Sequence, residues 1–147
     1  MSDLAYTLTL RRLVAAWSDQ SRKDAANFAN KHRDLLPRRI TSTQLYGLVN
    51  IVRNAQRFGD IQRFIRHQRE KAERAGRQDV ADYWKEMEQV LNNLRNDARE
   101  LQRQAGSLPP TISPKSALDT LHRQLTEEFV QHVLAHGSYW SPVPRTY

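Results

Sequence analysis

Cysteine is absent from this 147-residue chain, which excludes disulfide bridges and cysteine-ligated metal sites. Long apolar runs are missing too, since no stretch approaches the roughly 18 residues that a membrane span requires. The stretch from Met1 to Trp17 has an acid near its start and no small-residue cleavage site after a long apolar run. It is therefore not expected to be a secretion signal, and we predict a cytoplasmic protein with no membrane partner.

The residue groupings typical of catalysis are also scarce. Five glycines are scattered singly, so no glycine-rich loop can cradle a phosphate. Glu127 and Glu128 are adjacent and diverge around a helix, so they cannot act as a facing pair. His132 and His136 have the i, i+4 spacing of metal ligands, but the glutamate of the zinc-protease pattern is missing, which favours histidines at the edge of the core. The sequence predicts no enzyme, no cofactor and no metal.

Helical periodicity, by contrast, runs through nearly the whole chain. No run alternates apolar and polar residues for long enough to indicate a strand. We predict an all-α fold, a compact bundle of five to six helices with an irregular C-terminal tail. Gly59, Gly76 and Gly137 are expected to end helices. The predicted helices cover 4–17, 21–36, 42–58, 60–75, 78–105 and 115–136.

One stretch, Gly106 to Pro114, breaks this pattern with three prolines and flanking serines. Such a composition is typical of an extended linker. The prediction is a helical bundle domain with a basic face over 1–105, a Pro/Ser linker over 106–114, and a helix with an aromatic tail over 115–147, appended to the same domain. The aromatic residues of the tail either dock back on the bundle or fill a groove on a neighbouring subunit.

Positive charge is concentrated in one third of the sequence. The net charge is +7, and the segment 31–77 holds twelve basic and four acidic residues, a balance of +8. The rest of the chain holds eleven basic and twelve acidic residues, a balance of −1. Of the 23 basic residues, 18 are arginine, which suits forked hydrogen bonding to phosphate. A polyanionic partner is therefore plausible.

The helix predicted over 60–75 has one apolar and one basic side. The residues within one arc of about 100° are mostly apolar: Ile61, Phe64, Ile65, Gln68 and Ala72. The opposite arc is basic: Arg63, Arg66, His67, Arg74 and Arg77. Like charges on one helix face repel each other, so this arrangement favours a binding role over a purely structural one.

Further arginines adjoin this face. Arg38 and Arg39 precede the helix predicted over 42–58, and Arg53 and Arg57 lie a turn apart on it. If the two helices pack as an antiparallel hairpin around Gly59, the basic groups form one stripe. Such a stripe fits a nucleic-acid backbone, because arginine binds phosphate oxygens and releases counterions. It would read no base sequence.

The start of that helix resembles a known family. An alanine-rich helix and a short break precede the phrase Ile40-Thr41-Ser42-Thr43-Gln44-Leu45, and a basic exit follows it. This is similar to the small subunit of type III CRISPR effector complexes, in which the phrase (I/L)-T-(T/S)-(S/T)-Q-(L/I) opens the corresponding helix. A basic residue commonly follows in the family, whereas Tyr46 follows here. The resemblance covers about residues 20 to 105.

The resemblance implies a small helical protein without catalytic activity. Copies would stack beside larger CRISPR effector subunits, along the duplex of guide RNA and target RNA, and would hold the target strand's backbone. Cleavage and signalling would belong to other subunits. The implied RNA contacts are Arg53 and Arg57, followed by Arg63, Arg66 and Arg74.

Two other functions remain open from the residues. A helix-turn-helix DNA-binding regulator would place the helix over 42–58 or 60–75 in the major groove, with Thr43 and Gln44 facing base edges. The charge, however, lies later and is broader than one recognition helix requires. A protein-interaction adaptor would instead use the basic face to bind an acidic partner.

Overall fold

The computed structural model describes residues 3–36 and 39–139, and these form five helices with no strand among them. The predicted all-α class and helix number are confirmed. Arg38 and the tail over 140–147 lie outside the described residues. The helices are α1 (Asp3–Lys31), α2 (Ser42–Asn54), α3 (Phe58–Arg74), α4 (Gln78–Ala105) and α5 (Pro114–Tyr139).

A single helix, α1, covers the segment in which two helices, over 4–17 and 21–36, were predicted. The predicted break is wrong because no glycine or proline lies there to interrupt the backbone hydrogen bonds. One polar residue at this point, Ser18, has partners on α5: its hydroxyl donates to Glu128 at 3.1 Å and lies 3.1 Å from Nε2 of His132. The helix ends at Lys31 rather than at 36.

Thr41 caps α2. Its side chain accepts a hydrogen bond from the Gln44 N–H at 3.2 Å, and the Gln44 side chain accepts one from the Thr41 N–H at 3.0 Å. This reciprocal pair satisfies two N–H groups at the helix start. The helix ends at Asn54, before the predicted end. Gly59 lies in the first turn of α3, so the prediction that it terminates α2 is wrong.

Two other glycines do end helices. Gly76, with φ 72°, follows α3 as predicted, and Gly106, with φ 95°, follows α4. These left-handed conformations are accessible to glycine without steric cost. The bounds of α4, Gln78–Ala105, match the prediction. Gly137 was predicted to end the last helix, but α5 continues through it to Tyr139.

The helices α2, α3 and α4 form two antiparallel pairs. Gln44 of α2 donates to Gln68 of α3 at 3.4 Å, and a Cβ atom on Gly47 would lie 3.3 Å from the Phe64 ring. Glycine thus lets α2 and α3 approach closely at this point. Between α3 and α4, Gln62 donates to Asn92 at 3.0 Å. The expected hairpin of α2 and α3 is present.

The core is built from all five helices. Trp84 and Tyr83 of α4 are fully buried in a large cluster that includes Phe129 of α5. A smaller cluster joins α1, α4 and α5 around Leu125. Tyr46 of α2 is 56% exposed and lies outside both clusters. Within the described residues, no helix has both the length and the hydropathy needed to cross a membrane.

Candidate nucleic-acid interface

The exposed side of α3 is basic. Arg63, His67 and Arg74 lie at i, i+4 and i+11, on the side opposite the buried Ile61 and Ile65. At 3.6 residues per turn, these three side chains fall on one strip. Arg77 follows in the turn before α4 and is also exposed. We call these four residues the α3 strip: Arg63, His67, Arg74 and Arg77.

The α3 strip is only weakly neutralised by the protein itself. Arg63 lies 3.2 Å from Asp60, one turn earlier, but its side chain is 80% exposed. Exposed pairs of this kind are stabilised by less than about 1 kcal/mol, so a phosphate can compete for the arginine. Among the described residues, no ion pair involves His67, Arg74 or Arg77.

Arg66, predicted to share this face, points instead toward α4. Its Nε donates to Glu88 at 2.9 Å, and Arg69 approaches the same carboxylate at 3.9 Å. Glu88 is only 8% exposed. A buried carboxylate requires a charged partner, so the two arginines hold α3 against α4. Arg69 was not predicted as a functional residue, and its place beside Glu88 gives it a structural role.

Two more predicted residues have partners on distant segments. Arg39 forms an ion pair with Asp79 at the start of α4. Arg53 of α2 donates to Glu127 of α5 at 3.0 Å. Both arginines remain about half exposed. The predicted stripe is therefore divided: the α3 strip is accessible, whereas Arg39, Arg53 and Arg66 link elements of the fold.

Arg57 lies at the other end of α3 from Arg74, about 25 Å away along a helix of 17 residues. It precedes the first turn of α3 and lines a cavity of about 300 Å³. Arg95 of α4 and Arg123 of α5 line the same cavity. Neither Arg95 nor Arg123 was predicted from the sequence as a site residue. Arg123 could have been found from a pattern on α5, where polar residues recur at i, i+3, i+4 and i+7: Ser116, Asp119, Thr120 and Arg123.

Ser18, Glu128 and His132 meet between α1 and α5 but do not form a catalytic triad. Both the Ser18 hydroxyl and the Glu128 carboxylate approach Nε2 of His132, at 3.1 and 3.9 Å. In a triad, the carboxylate binds the ring nitrogen opposite the nucleophile. Burial lowers the pKa of His132, which keeps the ring neutral in this polar contact. No group of three histidine or acidic side chains in the described ranges is arranged to hold a metal ion.

Comparisons with known proteins found no matching family model, no matching curated protein and no matching solved structure.

Proposed function

We propose that this protein is a non-catalytic RNA-binding subunit that holds the phosphodiester backbone on the α3 strip without reading its sequence. The resemblance at Ile40–Leu45 leads us to propose, further, that it is the small subunit of a type III CRISPR ribonucleoprotein. In that setting, it would lie along the guide RNA and target RNA, beside larger subunits and other copies of itself.

One observation carries the proposal: the α3 strip is exposed, arginine-rich and largely without carboxylate partners in the described part of the chain. Glu70 and Glu73 on the same helix moderate its charge without pairing with it. A strip of three residues on α3, continued by Arg77 in the next turn, suits an extended, regularly charged polymer.

The start of α2 does not favour the helix-turn-helix alternative. Gln44 would have to present its amide to base edges, but its side chain already accepts from the Thr41 N–H and donates to Gln68. Contacts between α2 and α3 also extend to Gly47 and Phe64, in antiparallel register. The two helices of a helix-turn-helix cross at about 90–120°.

The test is charge reversal on the α3 strip. The triple variant Arg63→Glu, Arg74→Glu and Arg77→Glu should weaken binding of labelled single-stranded RNA by about tenfold or more. The binding constant of this variant should also depend less on salt. The slope of its logarithm against the logarithm of the salt concentration should become shallower by about 0.7 for each phosphate that the protein no longer neutralises. Fluorescence polarisation at several salt concentrations measures both quantities, with duplex DNA and a guide–target RNA duplex as comparison ligands.

The matched control reverses three exposed charges on α1: Arg11→Glu, Arg12→Glu and Lys23→Glu. It changes the net charge equally but leaves the α3 strip intact, so it should retain most of the RNA affinity. Equal loss in both variants would show that net charge alone governs binding and would reject the strip. Preference for one specific DNA duplex would favour a regulator, and weak salt dependence would favour an adaptor.

A further inference from the structure

The cavity beside Arg57 is lined mostly by charged and hydroxyl-bearing side chains. It lies between the turn joining α2 to α3, the middle of α4 and the first three turns of α5. Its volume of about 300 Å³ is at the lower end of the range for small-molecule sites. Its charged and hydroxyl-bearing lining residues come from these separate segments: Arg57, Arg95, Arg123, Asp119, Ser116 and Thr120.

Three guanidinium groups converge on this cavity. Arg95 donates to Asp119 at 2.9 Å, and Arg123 donates to the Ala55 carbonyl, just past the end of α2, at 2.5 Å. These bonds fix both side chains from behind and leave other N–H donors of each guanidinium unused. Arg57 forms no ion pair with any described carboxylate and is exposed at the mouth of the cavity.

The charges do not cancel within the cavity. Three arginines face one carboxylate, that of Asp119, which is half exposed. The surplus of two positive charges is opposite in sign and close in magnitude to the charge of a phosphate monoester near neutral pH, which is about −1.5 to −2. Arginine's planar fork also matches the paired oxygens of phosphate. Ser116 and Thr120 supply hydroxyl groups beside the arginines, and these can donate to further phosphate oxygens.

We propose that this cavity binds a phosphate monoester, held by Arg57, Arg95 and Arg123. The ligand is either the terminal phosphate of an RNA strand or a small phosphorylated molecule, since both present the same dianion. The site is separate from the α3 strip and does not depend on the function proposed for it. Phe58, which lines the cavity and stacks on His122 with ring centroids 4.1 Å apart, gives the cavity a rigid wall.

Titration of the full chain with inorganic phosphate, followed by amide NMR, tests the proposal. The amides of Arg57, Phe58 and Thr120 should shift with one saturable curve. Arg57→Gln should weaken binding about tenfold, the effect of removing one charge-assisted hydrogen bond. Asp119→Asn should strengthen it, because the opposing charge is removed. Shifts that never saturate, or that spread evenly over the basic surface, would overturn the site.

Arg99→Gln is the matched control, because Arg99 lies one turn from Arg95 on α4, is exposed and does not line the cavity. It should leave phosphate affinity unchanged, and an effect equal to that of Arg57→Gln would reject a localised site. The variant reversed at Arg63, Arg74 and Arg77 should also still bind phosphate, which separates this result from the RNA experiment.

Competition between inorganic phosphate and two RNA oligonucleotides identifies the source of the phosphate. Displacement by RNA with a 5′-phosphate, but not by the same RNA with a 5′-hydroxyl, supports binding of an RNA end. Displacement by neither supports a small phosphorylated molecule. Displacement by both to the same degree shows that internal phosphodiesters suffice, and this overturns the monoester assignment.

Discussion

His122 shows how one side chain couples the fold to pH. The residue is 2% exposed, and its Nε2 lies 2.8 Å from the Leu91 carbonyl. A carbonyl oxygen only accepts, so Nε2 carries the proton of the neutral ring. Nδ1 is buried and has no hydrogen-bond partner among the described residues. Burial therefore lowers the pKa of His122, and the nearby charges of Arg95 and Arg99 lower it further. The hydrogen bond to the Leu91 carbonyl and the charge of Asp119 oppose this decrease without reversing it.

Acid should destabilise the protein through this residue. The unfolded chain takes up a proton near the ordinary histidine value of 6.5, whereas the folded chain resists protonation. Below about pH 6.5 the unfolded state binds more protons, so the free energy of unfolding falls by up to about 1.4 kcal/mol per pH unit until the folded pKa is reached. Urea unfolding at pH 5 and 7 measures this decrease.

The variant His122→Gln removes the titrating ring, so its stability should change less over the same pH range. His67→Gln, at an exposed position on α3, is the matched control for replacing a histidine by glutamine. If His122→Gln keeps the full pH dependence, other groups are responsible and His122 is not the titrating residue.

Two glycines in different surroundings allow the effect of helix propensity on stability to be measured apart from the effect of packing. Gly59 lies in the first turn of α3, and an added Cβ would meet no atom within 4 Å. Gly47 lies inside α2, and an added Cβ would lie 3.3 Å from Phe64. Alanine in place of glycine favours a helix by about 1 kcal/mol in its interior, but at Gly47 the Phe64 ring must move.

We therefore expect Gly59→Ala to raise the free energy of unfolding by about 0.5 kcal/mol. Gly47→Ala should raise the free energy of unfolding by less than Gly59→Ala does. Helix propensity alone would predict the opposite order, because Gly47 lies in the helix interior. Chemical denaturation measures both. The double variant Gly47→Ala with Phe64→Leu should show favourable coupling, and simple additivity would mean that Phe64 does not restrict this position.

Helix bounds were predicted well from the sequence where residues close in the chain determine them. The bounds of α4 follow from a continuous apolar stripe between two glycines, and Thr41 starts α2 through contacts three residues away. The predicted break near Ser18 failed because its polar partners, Glu128 and His132, lie more than 100 residues further along the chain. Sequence spacing alone gives no information about such contacts.

The same limit applies to the candidate site. The excess of arginine over 31–77 and its place on the exposed side of α3 were visible in the sequence. Which arginines already have partners was not, because Asp79 and Glu127 lie 40 and 74 residues from Arg39 and Arg53. The cavity at Arg57 also needed the tertiary structure, since its arginines come from three different helices and turns.

At the scale of the whole molecule, α5 is central to the packing. It contacts α1, α2 and α4, and it contributes to both hydrophobic clusters. Leu125 and Val133 on its inner side are fully buried. The segments on either side of the predicted linker, 106–114, therefore share one core. Within the linker, Pro109 is itself buried.

We expect a chain truncated after Ala105 to lose cooperative thermal unfolding, because the apolar surfaces of α1, α2 and α4 would face water. Circular dichroism melting and the dispersion of amide NMR signals measure this. Leu125→Ala in the full chain is the milder comparison, and it should lower the free energy of unfolding by about 2–5 kcal/mol. A sharp melting transition in the truncated chain would show that 1–105 folds independently.

The central position of α5 also has a consequence for biosynthesis. Synthesis proceeds from the N-terminus, so α1 leaves the ribosome well before α5, one of the helices it packs against. Until α5 leaves the exit tunnel, the nascent chain has helices whose apolar faces are not yet covered by a complete hydrophobic core. Chaperones that recognise apolar segments would therefore meet this chain during translation, and this core would be completed only after α5 is released.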